Sequence, residues 1–103
     1  LYLEDGVTTL EVYNGTVTLA GDQAFSTITM FGGTVIWNSN NNITTLNIKG
    51  GTFVSTGVNL ARTISTLNLD GGNGSAEIDE DYTTVSTLAI NGGRPVRITV
   101  ADL

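Results

Sequence analysis

The chain has 103 residues, with ten acidic side chains against four basic ones for a net charge of −6, and it contains no cysteine and no histidine. That balance leaves no basic stripe to neutralise phosphates, so it argues against nucleic acid and anionic membrane surfaces as partners. The missing residue types remove disulfides, Cys–zinc sites, thiol nucleophiles and imidazole acid–base chemistry. Thirteen glycines, one proline and only 14% charged residues favour strands and tight turns over helices.

Taken in chain order, one pattern recurs. "VTTLEVYNGTV" starts at Val7, "FSTITMFGGTV" at Phe25, "ITTLNIKGGTF" at Ile43, "ISTLNLDGGNG" at Ile64 and "VSTLAINGGRP" at Val85, so the starts lie 18, 18, 21 and 21 residues apart. Leu10, Ile28, Leu46, Leu67 and Leu88 form one apolar column, and Val12, Met30, Ile48, Leu69 and Ile90 form a second two positions later. A spacing of two puts both columns on the same face of a strand. The residues between and after them vary in chemistry, as an outward face would. Gly15, Gly33, Gly51, Gly72 and Gly93 then align at a corner. A second short strand follows in most copies, at "TVTL" 16–19, "TVIW" 34–37, "TFVS" 52–55 and "VRITV" 96–100, and the remaining polar stretches read as loops.

A strand, a glycine corner, a second strand and a variable loop describe one coil of a repeat protein. No coil can bury its apolar face alone, but stacked coils build a continuous core of like-on-like columns. The sequence therefore predicts an all-β, parallel β-helix (a β-solenoid) of about five coils with 18–21 residues each. Residues 1–103 are expected to form a single solenoid domain, read as a segment of a longer chain or assembly. An antiparallel sandwich also has regularly spaced short strands, but it does not require identical columns with a repeated glycine.

Candidate sites are few. "LNLDGGNGSAEID", residues 67–79, approaches a calcium-binding nonapeptide of stacked β-rolls, yet Ala76 stands where that motif needs aspartate. The carboxylates Asp70, Glu77, Asp79, Glu80 and Asp81 read as solvated surface charge, so neither a metal nor a cofactor is expected. Glycoside hydrolysis would need two carboxyl groups at a set separation across a groove. The outward positions of the first strand offer only Glu11 and Asp70, far apart in the stack, so no catalytic residue is assigned and the chain is expected not to be an enzyme. Tyr13 and Phe31 occupy matching outward positions in successive copies, with Trp37 near the end of a second strand. These three are the candidate surface contacts, for other protein subunits or for a glycan.

"GTVTLAGDQAFSTITMFGGTV", residues 15–35, resembles the autotransporter-associated β-strand repeat, and the "TLxIxGGT" coils are similar to those of phage virion proteins such as tail spikes, fibres and head-decorating proteins. The resemblance implies a β-helix on an extracellular or virion surface and assigns no functional residue. It makes a structural virion module, acting through protein–protein contacts and open to homo-oligomer formation, the leading expectation. A cell-surface stalk or adhesin and the scaffold of a carbohydrate-active enzyme stand behind it. Both open ends of such a stack are expected to be covered by further sequence or by other subunits.

Overall fold

The computed structural model describes residues 2–3, 8–21, 24–39, 41–55, 61–78, 83–91 and 97–100, with backbone alone for 2–3, 71–73 and 97–100. The strands are β1 (Tyr2–Leu3), β2 (Thr9–Val12), β3 (Thr16–Leu19), β4 (Phe25–Met30), β5 (Thr34–Trp37), β6 (Ile43–Ser55), β7 (Arg62–Ile78), β8 (Thr83–Asn91) and β9 (Arg97–Val100). All pairings among them are parallel. The result is an all-β solenoid of about three turns. One ladder runs β2, β4, β6, β7, β8, and the other runs β1, β3, β5, then the second halves of β6 and β7, then β9.

The register reproduces the repeat. Leu10 faces Ile28, Ile28 faces Leu46, Leu46 faces Leu67 and Leu67 faces Leu88, with Val12, Met30, Ile48, Leu69 and Ile90 aligned beside them. Ile28, Met30, Leu46, Ile48 and Leu69 are fully buried. The apolar residue that opens each copy also points inward, at Phe25, Ile43 and Ile64, although it lies three positions before the next buried one. A local irregularity resolves that parity conflict. The amides of Ser26 and Thr27 both donate to the carbonyl of Thr8, at 2.7 and 3.3 Å, and the pairing with the next strand skips Ser26 while its offset holds, with Phe25 on Ile43 and Thr27 on Thr45. Each fully buried aliphatic side chain contributes about 1.5–3 kcal/mol. A polar contact between coils contributes about 0.5–1.5 kcal/mol. The inward columns therefore set the register.

The corner between the two ladders is built by glycine. Gly33 and Gly51 adopt φ of +79° and +82°, a region that side chains with a Cβ disfavour. A Cβ on Gly33 would also lie 2.6 Å from the carbonyl oxygen of Gly15, and one on Gly51 would strike the carbonyl oxygen of Gly33.

The fourth sequence copy departs from the expected corner. Ile48 still faces Leu69, but Gly50 faces Asn73 and Gly51 faces Gly74. Gly71 and Gly72 are thus inserted, and Gly74, not Gly72, continues the corner column. The second strand is not lost in that copy either, since Ser75 and Ala76 pair with Thr52 and Phe53. Spacing alone points to Gly72 because a Gly-Gly pair, Gly71-Gly72, stands where the corner is expected. Gly93 lies outside the described residues.

Candidate functional site

Directly after the second apolar column, the outward positions carry Tyr13, Phe31, Lys49, Asp70 and Asn91. The Tyr13 and Phe31 rings stack with centroids 4.8 Å apart and planes 10° from parallel. That separation matches the distance between neighbouring strands, so the rings stack face to face along the ladder. Tyr13 is 61% and Phe31 42% exposed. Lys49 Nζ lies 5.9 Å from the Phe31 ring centre, at the outer limit of a cation–π contact. It also lies 3.7 Å from Asp70 Oδ2, and Asn91 Nδ2 donates to Asp70 Oδ1 at 3.5 Å. Ring on ring, cation on ring, cation on carboxylate and amide on carboxylate thus follow one another along a single column.

A second outward column runs beside it through Glu11, Thr29, Asn47, Asn68 and Ala89. Asn47 Nδ2 donates to Thr29 Oγ1 at 3.3 Å, and Asn68 Nδ2 donates to Asn47 Oδ1 at 2.8 Å. These amides hold one another in line, which orders the face at little cost in exposed charge. A shallow depression of about 440 Å³ lies at the N-terminal end of the stack, lined by residues 10–17 and reaching Tyr13.

Trp37 does not belong to this face. It is fully buried, aligned with Leu19 and Ser55 in the second ladder, and tilted against Phe53 at 5.9 Å between centroids. The alternation of "TVIW" puts Trp37 on the same side as the buried Val35, so strand parity decides against a surface contact.

Sequence reasoning also missed Arg62. Its guanidinium is buried and lies 3.8 Å from the Trp37 ring centre. Its Nη1 donates to the carbonyls of Trp37 and Ser39, at 3.1 and 3.0 Å. Arg62 is a tie between loop and core, and no pattern in the repeat announces it.

The acidic stretch breaks up as its side chains alternate. Ala76 is buried, Glu77 is exposed, and Asp70 is engaged by Lys49 and Asn91. Asp79, Glu80 and Asp81 lie outside the described residues. Among the described residues, no group of three or more His, Cys, Asp or Glu side chains could hold a metal ion, and no helix is long and apolar enough to cross a membrane.

Among the described residues, the inward columns are exposed at β8. Leu88 and Ile90 are 48% and 54% exposed, whereas Leu67 and Leu69, aligned with them one strand earlier, are 1% and 0%. Fold and surface together define a parallel β-solenoid with an ordered outward face and, among the described residues, apolar columns that are exposed at β8. No family model, curated protein or solved structure matches the chain.

Proposed function

We propose that the protein is a non-enzymatic structural module, a solenoid rod that works through contacts with other protein subunits at an extracellular or virion surface. In the finer form of this reading the rod has five coils of 18–21 residues and belongs to the head-decorating or tail-fibre type of phage protein. The five sequence copies supply successive members of the first ladder, which supports the coil number. The observation that carries the reading is the stacked and exposed Tyr13–Phe31 pair on a rigid ladder. Two aromatic side chains held in one orientation have already given up their rotamer freedom, which lowers the entropic cost of docking. Around them, amides and hydroxyls supply polar groups of the kind found at an interface rim.

The test combines gene context with co-purification. Capsid or tail genes should flank the gene, and the chain should co-purify with one of their products. Tyr13→Ser with Phe31→Ser should abolish that binding and leave the β-type circular dichroism spectrum unchanged. A coding sequence continuing into an outer-membrane barrel, or turnover of any polysaccharide in a panel, would overturn the reading.

A further inference from the structure

No further inference is drawn: the strongest candidate, the uncharged and half-buried outward face of the second ladder formed by Thr34, Ile36, Thr52 and Val54, is an unpartnered sheet face, and nothing in the structure shows what covers it.

Discussion

The corners at Gly33 and Gly51 and the corner at Gly74 solve the same problem in two ways. In the first, a glycine with positive φ turns the chain against the carbonyl of the strand below, and no Cβ fits. In the second, Gly71 and Gly72 are added, the register moves by two residues, and Gly74 has no positive φ. Yet Leu67 and Leu69 on one side and Ala76 on the other remain buried in line with the preceding copy. The difference teaches that the inward columns carry the stack, while a corner can absorb extra chain provided the columns resume in phase. Loop length adds only slowly to the entropic cost, whereas a column out of phase would put polar side chains into the core.

Breaking the columns should have the largest effect. Leu46→Asp places an unpaired carboxylate at a fully buried position, at a cost of more than about 5 kcal/mol, comparable with the net stability of a domain. The variant should lose its cooperative unfolding transition and its β-type spectrum. Gly51→Ala should come next. About 1–2 kcal/mol arises from the left-handed backbone, and the clash with Gly33 raises the total to roughly 3 kcal/mol. Gly15→Ala sharpens the point. Gly15 has φ of +79° but nothing within 4 Å of an added Cβ, so its loss in chemical denaturation should be about 1–2 kcal/mol, from backbone strain alone.

Deleting Gly71 and Gly72 tests the second type of corner. If they are an insertion, the shortened chain should keep its fold and change stability by about 1 kcal/mol or less. Collapse of the thermal transition would show that the register through Gly74 needs them. The smallest effect belongs to the outward face. Asn47→Asp keeps an acceptor for Asn68 and loses the donor to Thr29, so a change below about 1 kcal/mol is expected. A loss as large as that of Leu46→Asp would reverse the assignment of inward and outward faces.

Much of this was legible in the residues. The column Leu10, Ile28, Leu46, Leu67 and Leu88 could be read from spacing because parity along a strand is a local property, and repetition multiplies the signal. Tyr13 and Phe31 were placed outward by the same parity, and their stacking followed from register. Trp37 shows the limit of reading a residue by type: its aromatic character suggested a contact, while its parity with Val35 had already placed it inside. For the shifted corner a usable signal existed, since Gly74-Ser75-Ala76 matches Gly51-Thr52-Phe53 once two residues are skipped. Arg62 left no such trace, because its burial depends on an indole and two carbonyls brought near it by chain 23 to 25 residues earlier.

By itself, then, the sequence determined the strand faces, the parallel stacking and the like-on-like core, all of which follow from short-range periodicity repeated along the chain. The tertiary structure alone decided which glycine turns the fourth copy, how a buried guanidinium is held, and where, among the described residues, the apolar columns are exposed, at Leu88 and Ile90. Those outcomes depend on what the neighbouring strand offers across 4.8 Å or so, and a residue's own position in the repeat does not encode that.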